Sequence, residues 1–121
     1  MAASVRQAPG AAARRGGSSG PEARKATLEV EVRASSGIVR YSLYVDGVPV
    51  TMAGANRGEV ECLGGCGDGS GHALLYSFAG TPGSTLDINL RCASRTVCSL
   101  RAEPIGEGGP HWRAGRELFA I

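Results

Sequence analysis

Strict two-residue alternation on both sides of one short polar stretch commits residues 86–103 to paired β-strands. In Leu86-Asp87-Ile88-Asn89-Leu90-Arg91-Cys92 every second residue is apolar, and Cys98-Ser99-Leu100-Arg101-Ala102-Glu103 alternates the same way. A period of two sends successive side chains to opposite faces, so each segment reads as a half-buried strand. The spacing predicts a hairpin in which Cys92 faces Cys98, Leu90 faces Leu100 and Ile88 faces Ala102. Opposed cysteines in a non-hydrogen-bonded pair lie close enough to bridge.

The same pattern recurs along the chain. Thr27–Ala34 places Leu28, Val30 and Val32 on one face and Glu29, Glu31 and Arg33 on the other. After Ser35-Ser36-Gly37, the segments Val39–Val45 and Val48–Met52 flank Asp46-Gly47, whose tolerance of positive φ suits a two-residue type I′ turn. In that register Val45 opposes Val48, Leu43 opposes Val50 and Tyr41 opposes Met52, while Tyr44 meets Pro49 on the other face. Proline cannot donate to a ladder, which marks this strand as a sheet edge. Further strands are expected at Gly58–Cys62, His72–Ala79 and Arg116–Ile121. In His72–Ala79, Leu75 backs the inward Leu74, Tyr76 and Phe78, so cover on both faces is expected there.

Eight short strands with turn chemistry every eight to twelve residues, and no amphipathic helix, predict an all-β fold: an antiparallel β-sandwich, with a small closed barrel as the alternative. The 121 residues suffice for one domain, placed at 27–121. A domain this small buries only about two-thirds of its unfolded surface, so a covalent staple would help it. Residues 1–26, rich in Ala, Gly, Ser and Arg, show no apolar periodicity and read as a disordered tail. No apolar stretch follows the arginines, so no signal peptide is expected in this chain. No apolar run approaches the ~20 residues of a membrane-spanning helix.

Four cysteines supply the covalent chemistry. Cys62-x3-Cys66 and Cys92-x5-Cys98 suggest two local bridges, 62–66 and 92–98, among three possible connectivities. Bridges imply an oxidising compartment and hence an extracytoplasmic location, secreted or periplasmic. The rival is a structural zinc held by Cys62, Cys66, Cys92 and Cys98.

Catalytic signals are sparse. The loop 62–71 is glycine-rich, yet it lacks the lysine and following helix of a phosphate cradle, and Asp68 with Ser70 falls far short of a calcium shell. His72 and His111 lie in no nucleophile motif, and the strand glutamates Glu29, Glu31, Glu59 and Glu61 face solvent by parity. Tyr44 differs: an aromatic on the polar face beside Arg40 and Ser42 is the residue type enriched at recognition surfaces. Positive charge concentrates in the tail (Arg6, Arg14, Arg15, Arg24 and Lys25 against Glu22), leaving the folded part without a basic surface for nucleic acid.

The sequence therefore points to a non-enzymatic extracytoplasmic module, held by two disulfides, that binds a protein or glycan partner. Tyr44, Arg40, Asp68 and His72 are the candidate ligand contacts, and no cofactor is expected. The alternatives are an intracellular interaction domain built on the four-cysteine zinc site, and an enzyme whose site assembles from loop residues such as Asp68, His72 and His111.

Overall fold

Alternating strands must bury one face, and here they do so against each other. The computed structural model describes residues 24–121, so the expectations for the tail and for a signal peptide fall outside the described residues, save at the tail's end. Nine strands follow in chain order: β1 (Lys25–Ala34), β2 (Ile38–Val45), β3 (Val48–Pro49), β4 (Thr51–Met52), β5 (Arg57–Leu63), β6 (Gly71–Gly80), β7 (Leu86–Cys92), β8 (Arg95–Arg101) and β9 (Trp112–Ala120). They form two antiparallel sheets of order β4-β5-β1-β7-β8 and β3-β2-β6-β9, an open sandwich and not a closed barrel. The first strand starts at Lys25, two residues before the expected boundary.

The inward sets are those that alternation predicts. Leu28, Val30, Val32, Leu86, Ile88 and Leu90 of the larger sheet meet Leu43, Val45, Leu74, Phe78 and Phe119 of the smaller one. Each such burial is worth roughly 1.5–3 kcal/mol against leaving the side chain in water. The strand β1 is central, pairing Leu28 with Val60 of β5 and with Cys92 of β7.

Two registers depart from expectation, each for a local reason. The β7–β8 hairpin turns tightly at Ala93 and Ser94, both at positive φ, so Cys92 faces Arg95. A bulge then shifts the ladder, and Cys98 faces Leu90 while Leu100 faces Ile88. The expected Cys92–Cys98 opposition is therefore incorrect. In the Asp46-Gly47 hairpin, Val45–Val48 and Tyr44–Pro49 pair as expected, and Val50 N–H donates to the Leu43 carbonyl at 3.0 Å. Beyond Val50 the chain changes sheets: Thr51 and Met52 pair with Glu59 and Gly58 of β5, so Met52 does not oppose Tyr41. The last strand also begins earlier than expected, at Trp112.

Candidate functional site

The two outer faces of the sandwich differ in chemistry. On the five-stranded sheet the ladder sets Glu29 beside Glu59 and Arg91, Glu31 beside Arg57, and Asp87 beside Arg101. This is an ordinary solvated charged face. The four-stranded sheet instead exposes Trp112 (59%), Leu118 (66%), Leu75 (42%) and Tyr44 (40%). The expected cover over Leu75 is absent among the described residues.

Register organises that apolar face into rows. Arg40, Ala79 and Trp112 form one, Ser42, Ser77 and Ala114 the next, and Tyr44, Leu75 and Arg116 the third. Two ladder steps separate the outer members of a row, about 10 Å. Small residues in the middle strand thus leave a trough between Arg40 and Trp112. It encloses a shallow cleft of about 220 Å³ lined by Arg40, Ser42, Ser77, Ala79 and Trp112. β3 pairs only with Tyr44 and Val45, so the Arg40 end of β2 has no ladder partner on that side among the described residues. Tyr44 and Arg40, singled out from the sequence, are both here. Trp112 was not, because Trp112-Arg113-Ala114-Gly115 carries too little apolar alternation to read as strand.

The other pair of sequence candidates, Asp68 and His72, sits at one end of the sandwich in a different cluster. His72 is buried, with its ring 5.7 Å from that of Phe119. Its Nδ1 donates to Asp46 Oδ2 at 2.5 Å, and Nε2 lies 3.2 Å from Ser70 Oγ. Asp46, at φ 51° in the type I′ turn, also accepts the Ala73 N–H through Oδ1 at 2.9 Å. The order Asp46–His72–Ser70 resembles an acid–base–nucleophile relay. Two features tie this cluster up as a structural lock. Ser70 has one hydroxyl proton to give, and the Asp68 carboxylate competes for it. Five loop amides are already spent within the fold: Gly65 and Ser70 on Asp68, Asp68 on Gly65, Gly64 on Arg24 and Gly67 on Ile121. His111 stands at the far end of β6, beside Gly80, about 27 Å away by strand rise. The structure does not bring Asp68, His72 and His111 into one site.

The lock has a pH signature. N–H donors from Gly65 and Ser70 hold the Asp68 carboxyl down at about 2. Burial alone would raise Asp46, but hydrogen bonds from His72 and Ala73 outweigh it and leave it below the ordinary 3.8. A carboxyl depressed in the folded state contributes stability above its unfolded pKa and loses it as pH falls through the folded value. The melting temperature should therefore hold down to about pH 4 and drop between pH 4 and 2. Replacing both carboxyls (Asp46→Asn, Asp68→Asn) should flatten that drop; an unchanged acid slope would exclude the lock as its source.

The cysteines correct a further expectation. Cys66 bridges Cys92, with Cα atoms 5.6 Å apart, while Cys62 and Cys98 are buried free thiols. There are not two local bridges, because β5 continues to Leu63 and holds Cys62 in the ladder opposite Ala26. Leu63-Gly64-Gly65 then carries Cys66 over the end of β1 onto β7. Burial pushes the Cys98 thiol up to about 11, with Glu117 adding to the shift, and burial likewise raises Cys62. The four sulfurs do not converge, and no group of three or more His, Cys, Asp and Glu side chains among the described residues could hold a metal ion. With Cys66 and Cys92 bridged, the four cysteines do not stand together as a zinc-ligand set here. No helix among the described residues is long and apolar enough to cross a membrane.

No protein family, curated protein or solved structure matches this chain.

Proposed function

We propose that this chain is a non-enzymatic extracytoplasmic binding module whose protein or glycan ligand lies on the outer face of the four-stranded sheet. The observation that carries the reading is the row Arg40–Ala79–Trp112: a planar donor fork and an exposed indole flank a floor too small to fill the space between them. Trp and Arg dominate recognition hot spots because each buries a large rigid surface and still offers directed donors. Ser42 and Ser77 add hydroxyls that donate and accept, the complement of a sugar ring or an extended peptide. Leaving Trp112, Leu75 and Leu118 in water is unrewarded in the isolated domain, which favours a surface that meets a partner. The Cys66–Cys92 bridge supports an oxidising compartment for that encounter.

The test is binding of the purified chain to arrays of extracellular glycans and receptor ectodomains, followed by titration of each hit. Trp112→Ala should weaken binding by about 2 kcal/mol, roughly 30-fold. Arg40→Ala should cost roughly tenfold, and Leu63→Ala, exposed on the other sheet, should leave affinity unchanged. Equal affinity for the wild type and Trp112→Ala, or no hit on either array, overturns the reading.

A further inference from the structure

A sandwich has four sheet edges, and three of these are blunted. β3 is two residues long and contains Pro49, the stretch of β2 it leaves open is interrupted by a bulge between Ile38 and Arg40, β4 is two residues long, and β8 is kinked by the bulge opposite Leu90 and Arg91. Short strands, proline and bulges are the usual protections against edge pairing. β9 has none of them. It runs nine residues, pairs with β6 without a register shift, and has no strand on its outer side among the described residues.

The direction of its backbone groups follows from its ends. Gly80 N–H donates to the His111 carbonyl, and Ile121 N–H donates to the Ser70 carbonyl, each at 3.0 Å. Odd-numbered residues of β9 therefore spend their backbone groups on β6. Trp112, Ala114, Arg116, Leu118 and Ala120 direct theirs outward.

We infer that β9 is a homodimerisation edge, pairing antiparallel with β9 of a second copy about a two-fold axis at Gly115. In that register Trp112 faces Leu118 of the second copy, the two most exposed apolar residues of the strand. Arg113 faces Glu117, so each interface carries two opposite-charge pairs. Ala114 faces Arg116, leaving room for the longer side chain, and Gly115 faces itself at the axis. Arg113 already binds the Pro104 carbonyl through Nε at 2.7 Å and Glu103 through Nη1 at 2.9 Å, which leaves its Nη2 for Glu117 of the second copy. About eight interchain backbone hydrogen bonds form.

Neighbouring registers are worse. A slip one way sets Arg116 against Arg116, a like-charge pair at the axis. A slip the other way sets Leu118 against Pro110, which has no N–H to give. The inward-pointing charges of β9 thus repel a generic strand and suit its own copy. The dimer joins two four-stranded sheets into one. This inference stands whether or not the outer face binds a ligand.

Sedimentation or light scattering of the full chain, across a concentration series, tests it. The wild type should pass from monomer to dimer. Ala114→Pro removes an outward N–H and touches no bond to β6, so it should raise the dimer dissociation constant by at least roughly tenfold, while circular dichroism, and melting at a concentration where the wild type is monomeric, stay those of the wild type. Two charge variants report the register: Glu117→Lys, and Arg113→Glu carried with Glu103→Gln so that no new like-charge pair arises within the monomer. Each should associate poorly alone, and their mixture should recover association. A wild type that stays monomeric, a dimer indifferent to Ala114→Pro, or a mixture no better than its components overturns the inference. Arg40→Ala, remote from the edge, should leave the dimer intact.

Discussion

Replacing Cys66 with Ala, or reducing the Cys66–Cys92 bridge, should cost about 3.5 kcal/mol of folding free energy, because the bridge spans 26 residues and closes off that loop's freedom in the unfolded chain. In a domain of this size that is a fall of roughly 15–25 °C in melting temperature. The bridge also has a local task. It ties the loop after β5 onto the end of β7, across the end of β1, and the same loop is tied to Arg24 and Ile121 by backbone bonds from Gly64 and Gly67. Opening it frees the segment that carries Asp68 and Ser70, and with it one side of the His72 lock. Intact mass under non-reducing denaturation should lie about 2 Da below the fully reduced value, not twice that. Cys62→Ala and Cys98→Ala should each retain that deficit, whereas Cys66→Ala should abolish it. A deficit that survives Cys66→Ala, or a melting temperature indifferent to reductant, would exclude this bridge as the staple.

The strands were legible because burial on one face writes itself into alternate residues. Leu28-x-Val30-x-Val32 and Leu86-x-Ile88-x-Leu90 admit one inward set, and the structure buries that set. Asp46-Gly47 was legible for a different reason: its positive φ values are restricted to few residue types, so two letters specify the turn. What failed were features that depend on neighbours far along the chain. Ala93-Ser94 takes the same two-residue turn without the residues that announce it; with the one-residue bulge that follows, it leaves Cys98 opposite Leu90, two residues from the expected Cys92. Parity survived that shift, so Cys98 is still inward, but its partner changed. The bridge could not be read from spacing, since sequence neighbours 62 and 66 are separated by the end of a strand, while 66 and 92 are joined over the top of β1. The proposed binding face was half legible. Tyr44 and Arg40 advertise themselves as an aromatic and a charge on one face of a predicted strand. Trp112 needed the β6–β9 pairing to place it two ladder steps from Arg40. The Asp46–His72–Ser70 cluster joins a hairpin turn to a loop and a strand start, and nothing in the local sequence links the first to the others.

Two leucines of the same chemistry should separate the interior from the proposed recognition surface. Leu28, fully buried on the central strand between Val60 and Cys92, should cost about 3–4 kcal/mol when cut to Ala, through lost transfer energy and the cavity left in a closely packed interior. Leu118, two-thirds exposed on the outer face, should change stability by less than about 0.5 kcal/mol. The comparison is best made in the Ala114→Pro background, where no second copy sits at the β9 edge, with denaturant midpoints as the readout. Leu28 touches the residue that closes the disulfide, so its cost and that of opening the bridge should fall short of adding. If Leu118→Ala proved as costly as Leu28→Ala, the outer face would be occupied within a single chain, and the surface assigned to a ligand would already be spent. A near-zero cost leaves its apolar area in water in the free protein. Covering that area then yields hydrophobic free energy only when a partner arrives, which is what a binding face requires and a core face does not.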